Sequence, residues 1–299
     1  VNKKNLLIIT RSAYPNIGGV EIHIRETNKL LRQNFNINII SKKNIKYKNK
    51  KYLGLIQIWL WFLKNIYLFF WAEVVHVHDV FIWILPFRFL FPFKKFFLTH
   101  HGWEGIYPIP KKNIVYKKLF NFLANKTISV GKYINIFYKI KTDEVIYGGV
   151  NLSKKFSKKQ KLIIYLGRLD KDTGILVFLK NLKKYKKYKV IFVGDGKLKN
   201  QCREYGRVTG FVNPEKYLKK AEIVYASGYL SALEGLANKC LVITSFNNDL
   251  KKSYWLDSPF KNFINFINKK NKKINANKAF ELAKRMSWDK ISEIYEQYY

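Results

Sequence analysis

Short apolar runs that end in glycine or a polar residue, each followed by a helical stretch, recur along the whole chain and constrain its fold more than any other feature. LLIIT (6–10) leads into a glycine loop, NIGGVE (16–21), and a helix beginning near Val20. Asn36–Ile40, Val74–Val77, Phe96–Thr99, Thr127–Val130 and Glu144–Ile146 read as further short strands. After a polar, basic, glycine-containing segment, GGVNLSKKFSKKQ (148–160), a second series starts: KLIIYLG, YKVIFVG, a short VTG, AEIVYA and CLVIT. Strands alternating with helices favour parallel sheets, because each parallel crossover needs a connection of helix length. The chain has 299 residues, 48% of them hydrophobic, enough to bury two cores. The expected class is α/β, with two parallel-sheet domains, 1–150 and 151–299. From about Phe260 the chain reads as two helices. The last, SWDKISEIYEQYY, is amphipathic and a candidate to pack back on the first domain.

The charge is unusual. Fifty-six Lys and Arg stand against 20 Asp and Glu, a formal net charge of +36. Such a chain attracts anions: nucleic acid, acidic lipid or phosphorylated substrates. Lys, Asn, Ile, Phe and Tyr are abundant together, a compositional bias that accounts for lysine better than for the scarcity of acids. No zinc-finger spacing, helix-turn-helix cue or RNP-like strand is present, so no specific nucleic-acid partner is expected. The basic cluster KKNIKYKNKKY (42–52) leads instead into LGLIQIWLWFLKNIYLFFWAE, followed by FIWILPFRFLFPFKKFF (81–97). A spanning helix needs roughly 20 apolar residues in a row. Lys64 and Asn65 interrupt the first stretch, and Pro86, Arg88 and Pro92 the second. Aromatics beside lysines suit a helix lying in an anionic membrane surface. The same residues also admit an ordinary core helix, with Ile58, Phe62, Ile66 and Phe69 inward, or a soluble partner interface. Trp59, Trp61, Tyr67, Phe70 and Trp71 then need partners of their own. Cys202 and Cys240 lack metal spacing, and VNKKN runs straight into the first strand. The expectation is therefore a reducing, cytoplasmic location at the membrane periphery through region 42–97, with no signal peptide.

Four glycine turns follow strands. In NIGGVE, Gly18 and Gly19 permit close backbone approach to a ligand at a helix N-terminus, or merely a tight turn. YLGRLDKDTG (165–174) sets Arg168 and Lys171 beside a second turn, where they can hold a diphosphate. FVGDG (192–196) offers Gly194 and Asp195 to a nucleotide, and VTGFV (208–212) is the fourth. In an open α/β sheet such turns share the ligand-binding edge. The stretch ASGYLSALEGLANKCLVITS (226–245) continues the pattern. Its Glu234 is expected at the fourth or fifth position of a short helix, either accepting hydrogen bonds from a ribose diol or simply complementing the helix end. In VHVHD (75–79), His76 and His78 share one strand face; THHGWEG (99–105) places His100 and His101 at another strand end. Without a third ligand of fitting geometry no metal is expected. His101, before Gly102, is a candidate to bond a sugar or phosphate. His23 reads as structural or solvent-facing.

GGVE (18–21), VVHVHD (74–79), LTHHG (98–102), SVG (129–131), YGGVN (147–151), GRL (167–169), FVGDG (192–196), TGFV (209–212) and LEGLANKCLVIT (233–244) together resemble the retaining nucleotide-sugar glycosyltransferases of the family 4-like, group 1 type. The resemblance runs from Leu6 to about Trp288. It implies the GT-B fold: two facing Rossmann-like domains, the first binding the acceptor and the second the nucleotide sugar. It further implies transfer from a UDP- or GDP-sugar, without metal or separate cofactor, to a hydroxyl of a lipid or glycan acceptor. By motif position Gly18 and Gly19 would face acceptor and donor phosphate, and His101 the transferred sugar. Arg168, with Lys171, would hold the diphosphate. Glu234 would bind the ribose, and Ser227, Gly228, Tyr229, Leu230 and Ser231 would border donor sugar and phosphate. Two positions depart from the family. Ala226 stands where an earlier glutamate is usual, and Thr173 where a lysine is usual. These departures motivate a degenerate, non-catalytic scaffold as one alternative; a sugar-nucleotide epimerase of the same shape is another.

Overall fold

The computed structural model describes residues 3–47, 51–102, 105–152, 156–269 and 272–299. The chain divides into two compact units: Val1–Ile146 together with Ser292–Tyr299, and Tyr147–Ile291.

The first unit is built on six parallel strands, β1 (Lys4–Thr10), β2 (Phe35–Ile40), β3 (Val74–His78), β4 (Lys95–His100), β5 (Lys126–Val130) and β6 (Glu144–Ile146), in the order β2-β1-β3-β4-β5-β6. Strand β3 shows how sequence assigns the faces, because alternate side chains point to opposite sides. Val75 and Val77 pack into an apolar core with Ile58, Phe62, Phe69, Phe81 and Phe96. His76 and His78 occupy the other face, their rings 4.1 Å apart. The helix Lys51–Lys64 buries Ile58 and Phe62, and Tyr67–Trp71 buries Phe69, while Ile66 between them is half-buried. Trp59 donates its indole N–H to the Ile82 carbonyl at 3.0 Å, and Trp61 and Trp71 pack against the same core. Leu53, Ile56, Leu60 and Leu63 form an outward stripe, joined in exposure by Tyr67, Phe70, Phe89 and Phe93. No helix among the described residues is long and apolar enough to cross a membrane.

The second unit also has six parallel strands: β7 (Gln160–Leu166), β8 (Lys189–Val193), β9 (Arg207–Val208), β10 (Ala221–Ala226), β11 (Leu241–Thr244) and β12 (Ile264–Phe266), ordered β12-β11-β10-β7-β8-β9. Central β7 and β10 are nearly continuous apolar runs, as strands covered on both faces must be. The order reverses between β7 and β10, which makes the loops after these two strands the switch point of the sheet. The segment after Phe260 corrects the two-helix expectation. It forms a short turn, then β12, and only then the helices Ala276–Lys284 and Trp288–Tyr298. Ile264 and Phe266 pair with Val242 and Thr244 of β11, and all three residues of β12 are buried, so the edge of the sheet claims a segment too short to announce itself.

Candidate functional site

In the Tyr147–Ile291 unit, the loops after β7, β8 and β10 meet at one sheet edge because glycines let their backbones touch. Gly167 has φ +141°, and a Cβ there would fall 1.9 Å from Ser227 Oγ. A Cβ on Gly194 would fall 1.8 Å from the Gly167 carbonyl, and one on Gly196 2.6 Å from that of Leu169. The result is a shelf of bare backbone. Beneath it, Tyr165 Oη donates to Thr173 Oγ1 at 2.6 Å, and Tyr225 Oη donates to the Gly174 carbonyl at 3.0 Å. These two buried tyrosines brace the loop 167–174 from below.

Arg168 stands on this shelf, half exposed, its guanidinium bonded to Asp170 at 2.9 Å and to Asp172 at 2.7 Å. Partial burial works against its charge, but Asp172 and Asp170 outweigh it and raise its pKa. Lys171 is exposed and makes no ion pair among the described residues. Asp195 is bonded by Lys199 at 2.8 Å and by the Gly196 N–H at 2.8 Å, and these hold its carboxyl below the usual range. Thr173, the position of the usual lysine, is turned inward: its hydroxyl lies 2.6 Å from the Asp170 carbonyl. Ala226 is fully buried at the end of β10, where its carbonyl accepts the Thr244 hydroxyl at 2.8 Å.

The helix Tyr229–Ala237 begins directly behind this shelf, capped by Gly228. Several groups expected to border a donor are engaged internally. Ser227 Oγ donates to the Leu166 carbonyl at 2.9 Å, and Ser231 Oγ donates to the Gly228 carbonyl at 2.8 Å. Tyr229 is buried, and its N–H donates to Tyr254 Oη. The N–H groups of Leu230 and Ser231 have no partner among the described residues. Glu234 is the sixth residue of the helix, not the fourth or fifth, and is half-buried. It lies one turn beyond Leu230 and Ser231, on the same side of the helix. The helix starts one or two residues earlier than the sequence indicated, and Gly228 and the Tyr229–Tyr254 contact fix its first turn.

Sequence reasoning missed Lys251 and Tyr254, which lie on the helix Asp249–Leu256 after β11. The Lys251 ammonium sits 4.6 Å from the centre of the Tyr254 ring, and Tyr254 stacks on Tyr229 at 3.8 Å. The only sequence signal is a lysine one turn into a helix that follows a strand.

In the first unit, the equivalent edge carries Gly18, which caps the helix Gly19–Leu31, and Gly19, its first residue. Gly19 has open space around it, whereas the Glu21 carboxylate folds back over Gly18, 2.4 Å from where a Cβ would stand. His101 lies just past the end of β4. Its N–H donates to Asp79 Oδ1 at 3.0 Å, and its Nε2 is 2.7 Å from Nδ1 of His78. Lys117 reaches the same Asp79 oxygen at 3.4 Å. His23 is buried rather than solvent-facing, with Nε2 2.7 Å from Tyr295 Oη and its ring 4.8 Å from that of His101. His76 bonds Thr99 at 2.8 Å through Nε2 and Tyr299 through Nδ1. Tyr295 and Tyr299 are thus the unforeseen partners of the histidine cluster. Burial first, then the proximity of other imidazoles and of Lys117, pushes the pKa of His101 down to about 3; that of His76 falls to about 3 through burial and His23. These rings are neutral hydrogen-bonding groups at neutral pH. Among the described residues no three His, Cys, Asp or Glu side chains are placed to hold a metal ion.

No protein-family model matches the chain, and no curated protein matches it. Solved structures do. HepE from Anabaena, in complex with UDP-glucose, is 12% identical with a TM-score of 0.69, over 98% of each chain. The catalytic domain of starch synthase IV from Arabidopsis thaliana, bound to ADP and acarbose, is 11% identical with a TM-score of 0.61, over 99% of each. A Listeria monocytogenes protein described as a UDP-N-acetylglucosamine 2-epimerase is 9% identical with a TM-score of 0.54, over 98% of this chain and 91% of the other. Two six-stranded parallel sheets in series, matched end to end by these structures, make this a chain of the GT-B fold.

Proposed function

We propose that the chain is a retaining glycosyltransferase that moves a sugar from a nucleoside diphosphate sugar to a hydroxyl of a lipid or lipid-linked glycan at a membrane surface. The observation that supports it most is the meeting of Arg168, the glycine shelf and the unpartnered N–H groups of Leu230 and Ser231 at the switch point of one sheet. A guanidinium grips two phosphate oxygens at once, and a helix start supplies N–H donors and positive potential. Arg168 then exchanges at least one of its carboxylates for the diphosphate, and Glu234 accepts the ribose hydroxyls. As the bond between anomeric carbon and phosphate oxygen breaks, charge grows on the leaving diphosphate, where Arg168 and Lys171 stabilise it. The acceptor oxygen forms the new bond on the same face, and its proton passes to the departing phosphate. His101, being neutral, serves as a hydrogen-bond partner for a sugar hydroxyl. The nucleotides bound by HepE and starch synthase IV support a nucleotide-sugar donor.

The membrane part of the reading is supported by the outward stripe of Leu53, Ile56, Leu60 and Leu63 and by exposed Phe70, Phe89 and Phe93 on a strongly cationic chain. The test is incubation with UDP-, GDP- and CMP-sugars and lipid-linked acceptors, with the anomeric configuration of the product read by NMR. Transfer with retention is expected. Absence of both nucleotide binding and turnover with every donor overturns the reading. The inward Thr173 and the buried Ala226 favour the non-catalytic scaffold, whereas the Listeria neighbour favours the epimerase reading. An isomerised sugar nucleotide formed without acceptor would establish it instead.

A further inference from the structure

We infer that Lys251 is a further cation that holds the donor's diphosphate beside Arg168 and Lys171, replacing from a different helix the side chain that Thr173 does not supply. The assignment rests on the nucleotide-sugar reading above. Arg168 by itself is poorly suited to an anion, since one guanidinium against the two carboxylates of Asp170 and Asp172 leaves one negative charge in excess. Exposed Lys171 only brings that loop to neutrality, so a further cation is needed to favour a diphosphate, and position 173 cannot provide it, because Thr173 is locked between the Asp170 carbonyl and the Tyr165 hydroxyl.

Lys251 meets the requirement by position. The Asn248 side chain accepts the Lys251 N–H at 2.8 Å and fixes the first turn of the helix Asp249–Leu256. The ammonium lies over the Tyr254 ring, and Tyr254 in turn stacks on Tyr229 and accepts the Tyr229 N–H at 2.8 Å. Gly228 stands against the same hydroxyl, with a Cβ there only 3.2 Å from Tyr254 Oη. The lysine is thereby tied to the start of the helix that presents Leu230 and Ser231. It is half-buried, and among the described residues it has no carboxylate within ion-pair distance. The charged groups that act on it are Asp172 and Arg168, the same pair that faces the shelf. Burial pulls its pKa down to about 8, with Arg168 adding to the shift and Asp172 opposing it. A cation in that condition is relieved by an incoming phosphate. A purely structural lysine would gain nothing from one.

The experiment is calorimetric titration of the full chain with UDP and GDP, and with uridine and guanosine, between pH 6.5 and 9.5. Wild type is expected to bind one nucleoside diphosphate with an affinity that falls as the pH rises through about 8, where the unliganded lysine loses its proton. Lys251→Gln should weaken that diphosphate about 10- to 100-fold, the worth of a charge-assisted hydrogen bond, and abolish the inflection while leaving the nucleoside unchanged. Lys251→Arg should restore the affinity and stay flat with pH. If Lys251→Gln binds the diphosphate like wild type while Arg168→Ala does not, this assignment fails and the nucleotide-sugar reading stands. Wild type that binds neither diphosphate overturns both. Should Lys251→Gln not fold, the wild-type pH profile and the Lys251→Arg variant decide: an inflection lost in the arginine variant sustains the assignment, and one that persists rejects it.

Discussion

Nδ1 of His78 and Nε2 of His101 stand 2.7 Å apart, so one imidazole donates and the other accepts while both remain neutral. Around them His23, His76 and His100 are also buried, and all five have pKa values lowered chiefly by burial. In the unfolded chain each takes a proton near pH 6.5, while the folded unit refuses it down to about pH 3 for His76 and His101. The unfolded state thus binds more protons throughout that window, and stability falls as pH falls, by about 1.4 kcal/mol per pH unit for each histidine. Thermal melts should therefore show the first unit losing stability between pH 6 and 4, beginning above the range in which most carboxylates protonate. A melting temperature flat over that interval would contradict the buried, neutral cluster.

Tyr295 should matter to the first unit far more than its place near the end of the sequence indicates. Its hydroxyl is bonded to His23, and its ring packs 5.0 Å from that of His76. Tyr295→Phe leaves a buried imidazole nitrogen without its partner, at a cost of about 1–3 kcal/mol. Tyr295→Ala adds a cavity and should cost about 3–5 kcal/mol. Hydrogen exchange of β3 and β4 amides reads both effects, and protection equal to wild type in Tyr295→Ala would remove the tyrosine from the core.

At Gly167 the fold admits no side chain. Gly167→Ala meets Ser227 Oγ and places a Cβ at φ +141°, a strain of about 1–3 kcal/mol. Pairing it with Ser227→Gly removes the collision but not the backbone strain. The double variant should therefore recover part of the lost stability and of the lost nucleotide affinity, which thermal shift with UDP or GDP measures. Full recovery would show that only the collision mattered.

Arg168 and Asp172 should give opposite signs. Arg168→Ala is expected to lower kcat/KM for the donor about 100-fold. Asp172→Asn removes a negative charge 2.7 Å from the guanidinium and should tighten nucleoside diphosphate binding about fivefold, the worth of roughly 1 kcal/mol. Weakened binding in Asp172→Asn would mean that the carboxylate orients Arg168 rather than competing with the phosphate.

Vesicles of anionic lipid should bind the chain at low salt and release it as salt shortens the Debye length from about 8 Å toward 3 Å. Replacing Leu60 and Phe93 with serine should weaken retention at a fixed low salt, since both side chains face solvent. Equal retention of that variant and wild type would leave charge alone responsible.

The strands were legible because buried parallel strands read as continuous apolar runs, and eleven of the twelve among the described residues fall on segments picked out in the sequence. The missing one, β12, is three residues long and lies in a segment whose asparagines and lysines resemble a surface helix. Glycine turns marked where backbones approach closely, since Gly167 and Gly194 are held where no Cβ fits. Hydroxyls were harder to assign. Ser227 and Ser231 after a strand could serve a ligand or the backbone, and only the fold shows them donating to carbonyls. Lys251 was illegible for a different reason: among 56 Lys and Arg no single lysine stands out by type. Tyr295 and Tyr299 likewise reveal their role only once β3 and β4 bring His76 and Thr99 beneath them.

The paired tyrosines under the loop 167–174 carry one further consequence. Tyr165 and Tyr225 stack at 5.2 Å and fasten Thr173 and Gly174 from the core side. On the proposed reading, Arg168 would consequently trade Asp172 for a phosphate by rotating its own side chain, while the main chain that carries it stays in place. The conformational entropy of fixing that loop is already spent in folding, so a diphosphate bound as proposed would meet a preorganised surface whose adaptation is confined to a few χ angles.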